Sequence, residues 1–137
     1  MREINSIRVD DPAIKRLLSY ATSEEKVDEE YNKHICSPNR KLYSYGINGE
    51  IISCIGIEIH NSGDGVIKHI AVLPKERGGG IGSSMIRFIW KEHNLNSISA
   101  ETDKDAVLFY ANFGFRITSL GEKYPGVERF LCKLDLK

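Results

Sequence analysis

The chain has 137 residues, 41% of them hydrophobic and 28% charged, with nineteen basic residues balanced by nineteen acidic ones. That is one domain's worth of chain with material for a core, and a neutral balance argues against a general nucleic-acid binder. The longest uncharged apolar stretch, Ile51 to Ile57, is too short to span a bilayer, and the start lacks the apolar segment of a secretion signal. Cys36, Cys54 and Cys132 are widely spaced and include no CxxC pair, which suggests neither a disulfide framework nor a zinc site. The expectation is a reduced, cytoplasmic, single-domain protein spanning residues 1–137, without a metal.

Ile4 to Val9 reads as a short first strand, and Asp10-Asp11-Pro12 as a helix start. Ile14, Leu17, Leu18 and Ala21 supply that helix with an apolar stripe. Thr22-Ser23-Glu24-Glu25 fits a capping box for a second helix, whose stripe is Val27, Tyr31 and Ile35. Five acids stand against two lysines between Thr22 and Ile35.

Leu42 to Ile47 and Glu50 to Ile59 are strand-like and are separated by Asn48-Gly49. Asn-Gly favours a tight hairpin turn, because both central positions need positive φ. A turn cluster from Asn61 to Gly65 leads to a strand over Val66 to Leu73. Beyond Pro74 comes Arg77-Gly78-Gly79-Gly80-Ile81-Gly82, then Ile81, Met85, Phe88 and Ile89 at helical spacing. Ser97 to Thr102 reads as a strand, Ala106 to Phe113 as a short helix stopped by Gly114, and Phe115 to Leu120 and Arg129 to Leu136 as the last strands. Alternation in the last strand turns Cys132 toward the core, while Cys36 falls in a loop. His34, His60 and His93 show no ligand spacing and read as surface residues.

A strand, a glycine-rich turn and a helix start in succession can hold a phosphate, the alternative being a flexible turn that merely joins strand to helix. The first turn of a helix offers unpaired N–H groups and a positive dipole end. The segment lacks the lysine of a phosphate-binding GxxxxGK[ST] loop and does not fit GxGxxG, so both nucleotide-binding readings fail.

Arg77 to Gly82 resembles the [QR]xxGx[GA] pyrophosphate loop of the GNAT acyltransferases. Ile70-Ala71-Val72-Leu73-Pro74 resembles the family's fourth strand with its proline. Ala106 to Phe115 is similar to its late "A…FY…GF" segment, with Tyr110 four residues before Gly114. The resemblance implies an α+β fold, a three-layer arrangement with a mostly antiparallel central sheet of six to seven strands and about four helices. It implies an N-acetyltransferase that uses acetyl-CoA as co-substrate and acts by direct attack of an amine. The alternative is a coenzyme A-binding sensor with little catalysis.

Carried over residue by residue, the resemblance assigns pyrophosphate binding to Gly78, Gly79, Gly80, Ile81, Gly82 and Ser83, with Arg77 opening the loop. It assigns backbone contacts with pantetheine to Ile70, Ala71 and Val72, and places Phe109 against the coenzyme. The family often has asparagine before the last helix. Here Asp103 or Asp105 stands in that region; either reads as a helix cap, the two are not told apart at the asparagine place, and Asp105 is taken as the coenzyme contact. Tyr110 matches the tyrosine proposed to protonate the departing thiolate. The base is not fixed in the family; the candidates are Glu101, then His69, then Glu58, each also readable as an ordinary polar residue. The acceptor is a small-molecule or peptide amine, and the acidic second helix favours a cationic one. Dimers through the last strands are common in the family and are allowed here; neither nucleic acid nor a membrane is implied as a partner.

Overall fold

The computed structural model describes residues 2–3 and 12–136. The expected first strand over Ile4 to Val9, and the Asp10-Asp11 helix start, lie outside the described residues. Among the described residues, seven strands form one sheet: β1 Arg2–Glu3, β2 Arg40–Ile47, β3 Glu50–Ile59, β4 Asp64–Val72, β5 Ser97–Asp103, β6 Arg116–Tyr124 and β7 Val127–Asp135. Their order is β1-β2-β3-β4-β5-β7-β6. Among these described strands β4 and β5 pair in parallel and every other neighbouring pair is antiparallel. Four α-helices among the described residues accompany it: α1 Pro12–Leu18, α2 Val27–Cys36, α3 Ile81–His93 and α4 Val107–Phe113. The fold class, strand number and helix number agree with the sequence reading.

Turn chemistry sets the hairpins. Asn48 and Gly49 take φ of 51° and 81°, as a two-residue turn between twisted strands requires. Between Tyr124 and Val127 the chain turns through Pro125 and Gly126, the latter at φ 77°. This hairpin carries β6 and β7 farther than apolar periodicity suggested, because much of both strands is exposed and polar.

The sheet has a core on each face. Met85, Ile86 and Ile89 of α3 and Tyr110 of α4 pack on Ile55, Ile57, Ile67 and Ile98. On the other face Ile14, Leu17 and Leu18 of α1 and Val27 and Tyr31 of α2 pack on Leu42, Cys54 and Ala71. Each of these fully buried aliphatic side chains stabilises the fold by about 1.5–3 kcal/mol. Cys54 and Cys132 are buried, and burial pushes the Cys54 thiol up to about 12. Cys36 is exposed, but it ends α2 rather than lying in a loop. Trp90 packs half-buried against the α3 core.

Four local expectations change. Ala21 is exposed and lies beyond the end of α1. The capping box does not start α2: Lys26 N–H donates to Ser23, a tight turn covers Glu24–Lys26, and Lys26 stands at the helix start without a side-chain cap. His34 is not a surface residue; it is 2% exposed. His93 is half-buried and hydrogen-bonded to the Tyr43 hydroxyl at 2.7 Å, whereas His60 is exposed.

Candidate active site

The parallel pairing of β4 with β5 is short. It runs from Asp64↔Ser97 to Ile67↔Ala100 and stops, although β4 continues to Val72 and β5 to Asp103. The cause lies in β4. Gly56 of β3 pairs with His69 and Ile57 with Ile67, which leaves Lys68 as an extra residue. A bulge of this kind bends a strand and strengthens its twist, so β4 swings away from β5. Between the two diverging strands opens a cleft of about 670 Å³.

Most of the residues singled out in the sequence line this cleft: His69, Ile70, Ala71, Val72, Arg77, Gly78, Gly80, Ile81, Gly82, Ser83, Glu101, Asp105, Phe109 and Tyr110. Among the described residues, its lining omits Gly79 and Glu58. Glu58 lies instead on β3, between Arg40 at 3.6 Å and His60 at 3.3 Å.

The glycine loop forms one end. Gly78 and Gly80 take φ of 87° and 84°, a left-handed backbone that disfavours any side chain. Gly80 is the cap of α3, so the N–H groups of the helix's first turn point into the cleft end without intrahelical acceptors. Arg77 Nε donates to the Val72 carbonyl at 2.9 Å, which ties the loop to the last residue of β4. Gly82 serves packing instead. A Cβ there would stand 3.0 Å from the Phe109 ring, so its bareness lets α4 close onto α3.

Tyr110 is 3% exposed and packs edge-on between Phe109 and Phe115, each with ring centroids 5.2 Å away. Burial raises its hydroxyl well above the ordinary phenol range, so it keeps its proton. Asp103 accepts from the N–H groups of Asp105 and Ala106 at 2.9 and 3.3 Å. Asp103 therefore shapes the start of α4, and both it and the exposed Asp105 line the cleft.

On the face shared with α1 and α2, Glu101 is held by Lys123 at 2.9 Å and Arg129 at 3.3 Å. The Lys123 bond, aided by Arg129 and outweighing slight burial, keeps its carboxyl below the usual range. His69 is 8% exposed, and its Nδ1 lies 2.8 Å from His34 Nε2. Burial pushes His69 down to about 4 and His34 to about 3, so both are neutral near pH 7. His34 is the site neighbour that sequence reasoning missed. A signal existed: it stands seven residues after Val27, on the same helical face as Tyr31.

The acidic second helix contributes no residue to the cleft lining among the described residues. Asp28 pairs with Lys15, Glu29 with Lys33, and Glu30 with Lys33 and Arg40, and Tyr20 and Ala21 line the cleft instead. Two of the five acids, Asp28 and Glu30, are thus paired with cations from outside the helix, Lys15 and Arg40.

The acetyltransferase (GNAT) domain model matches residues 38–117, more than half of the chain. The chain belongs to the GNAT family of acetyltransferases. Its class is that of the acetyl-CoA-dependent N-acetyltransferases. Among solved structures, it is similar to a GNAT family acetyltransferase from Elizabethkingia anophelis with acetyl-CoA bound, at 21% identity and TM-score 0.75, covering 98% of this chain and 96% of that one. It is also similar to a Bacillus anthracis protein assigned as a streptothricin acetyltransferase, in complex with acetyl coenzyme A, at 28% identity and TM-score 0.67, covering 78% and 69%. A third likeness is to the ribosomal-protein-S18-alanine N-acetyltransferase from Escherichia coli, at 16% identity and TM-score 0.77, covering 98% and 93%. No curated protein matches the sequence significantly. No helix among the described residues is long and apolar enough to cross a membrane.

Proposed function

We propose that the chain moves an acetyl group from acetyl-CoA to an amine by direct attack within a ternary complex. The observation that carries this reading is the cleft itself. A strand edge, freed by a bulge, runs into the positive end of a helix whose loop is bare of side chains. Helix-end amides suit a pyrophosphate, and the loop glycines let it reach the backbone. From His69 to Val72, β4 is paired with β3 on one edge and free on the edge that faced β5, and that free edge offers backbone partners to an extended amide chain such as pantetheine.

When bound, acetyl-CoA supplies an activated acyl group on a thiol that leaves readily. The protein's share is position and charge. Amides on the free edge of β4 polarise the acyl carbonyl in the manner of an oxyanion hole. Tyr110, neutral and buried at the cleft wall, donates its proton where the thiolate forms. Glu101 is the carboxylate on the acceptor side of the cleft. Lys123 and Arg129 keep it ionised, so it takes the amine's proton as the new C–N bond forms and releases it to solvent, to which it is exposed. His69 is a poor base, because Nδ1 is engaged by His34 and Nε2 lies 3.7 Å from Glu30. Calorimetric titration with acetyl-CoA, followed by assay of amide formation across a panel of amines, tests the reading. Binding without turnover on any amine would favour the sensor alternative.

A further inference from the structure

The most specific side-chain arrangement outside the loop is the histidine pair beneath α2. His34 comes from α2 and His69 from β4, with ring centroids 5.0 Å apart and planes at 85°. Their nitrogens are within hydrogen-bond distance. Gly56, directly opposite His69 in the β3–β4 register, makes room for this: a Cβ there would stand 2.3 Å from the His34 ring. So β3 is notched where the ring enters. Burying two imidazoles costs desolvation unless their nitrogens find partners, and apolar packing alone does not explain the choice.

The protons can be placed. His34 Nδ1 is buried and has no hydrogen-bond partner among the described residues. A buried bare acceptor is tolerated better than a buried unpaired N–H. His34 therefore carries its proton on Nε2 and donates to His69 Nδ1. His69 then carries its own proton on Nε2, turned toward the Glu30 carboxylate. The pair's position gives the bond a consequence. His69 directly follows Lys68, the bulged residue, and Ile67 makes the last pair with β5. The bond thus anchors β4 just beyond the bulge, where β3 pairs with one edge and β5 no longer pairs with the other.

We propose that His34 is a positioning residue: by its bond to His69, in the notch left by Gly56, it holds β4 at the splay that opens the cleft. The effect on catalysis rests on the acetyl-transfer reading above; the bond itself does not. The charged groups around the pair are Glu30 and Lys33 of α2, Arg40 of β2, Glu58 of β3 and Lys68 of β4. Only the carboxylates favour a protonated ring, so the pair stays neutral through the physiological range.

Nitrogen-15 spectra of the imidazoles test the bond in the wild-type protein. The expected result is an unprotonated, hydrogen-bonded His69 Nδ1 coupled to a protonated His34 Nε2. Kinetics test the positioning. His34→Ala is expected to lower kcat about 10- to 100-fold and to raise KM for acetyl-CoA as well, since the β4 edge it holds is the one the coenzyme lies along. Gly56→Ala, which expels the ring, should do the same, and the double variant should be no worse than either single one. His34→Gln, which restores an N–H donor, should recover most of kcat; if His34→Ala does not fold, this variant and the spectra decide. The proposal is overturned by a free His69 Nδ1 in the spectra, by unchanged kcat in His34→Ala, by additive losses, or by a folded His34→Gln as slow as Gly56→Ala. A wild-type protein that turns over no amine would instead sink the transfer reading, and the spectra would still judge the bond.

Discussion

His34 Nε2 and His69 Nδ1 stand 2.8 Å apart in a buried pair that joins α2 to β4. Burial pushes both rings below the ordinary histidine range, to about 3 and about 4, against 6.5 for a free ring. Between roughly pH 6.5 and 4 the unfolded chain therefore binds more protons than the folded one, and stability rises with pH. Full stability is expected above pH 6.5 and progressive loss below it, on the order of 2 kcal/mol per ring between pH 7 and pH 5. Urea midpoints across that window measure it, and His34→Gln should flatten the dependence. A midpoint independent of pH between 7 and 5 would contradict the burial of the pair.

The glycine loop makes a second test. Gly80 takes φ 84° and caps α3 at the cleft end. Gly80→Glu would set a negative charge beside the N–H groups meant for pyrophosphate. Acetyl-CoA binding should disappear from a calorimetric titration while the far-ultraviolet circular dichroism stays native. Gly80→Ala is the control: it adds left-handed strain of about 1–2 kcal/mol but no charge. It should bind weakly or normally, never as poorly as the glutamate variant.

Tyr110 makes a third. Its proton is retained above the usual phenol range, so activity that needs the protonated phenol should not decline before pH 10 on its account. Tyr110→Phe should lower kcat, general acid catalysis being worth on the order of 10²–10⁴-fold, with acetyl-CoA affinity little changed. Pre-steady-state measurement of the chemical step checks this. An unchanged step would leave Tyr110 as a packing residue between Phe109 and Phe115.

Much of the fold is legible because the informative residues act locally. Asn48-Gly49 fixes a hairpin through its own φ angles, and Gly78 and Gly80 announce a left-handed loop ahead of the α3 stripe. The cleft's wall could be placed from the order of the motifs. What could not be read depends on partners far apart in the chain. The acids of α2 look like a steering surface until Lys15 and Arg40 are found beside them. His34 looks solvated among charges until Gly56, twenty-two residues later, is seen to receive its ring. The bulge at Lys68 has no sequence signature, yet it sets where β4 leaves β5. Glycine inside the β3 strand was the available hint, since it often marks a close approach.

The most direct test is the transfer itself. Purified protein is mixed with acetyl-CoA and one amine at a time, and free thiol is followed while the amine is weighed by mass spectrometry. The account predicts thiol release matched one for one by an acetylated amine, for at least one acceptor, and its loss in Gly80→Glu. Thiol release without an acetylated amine, or transfer that survives intact in Gly80→Glu, would contradict it.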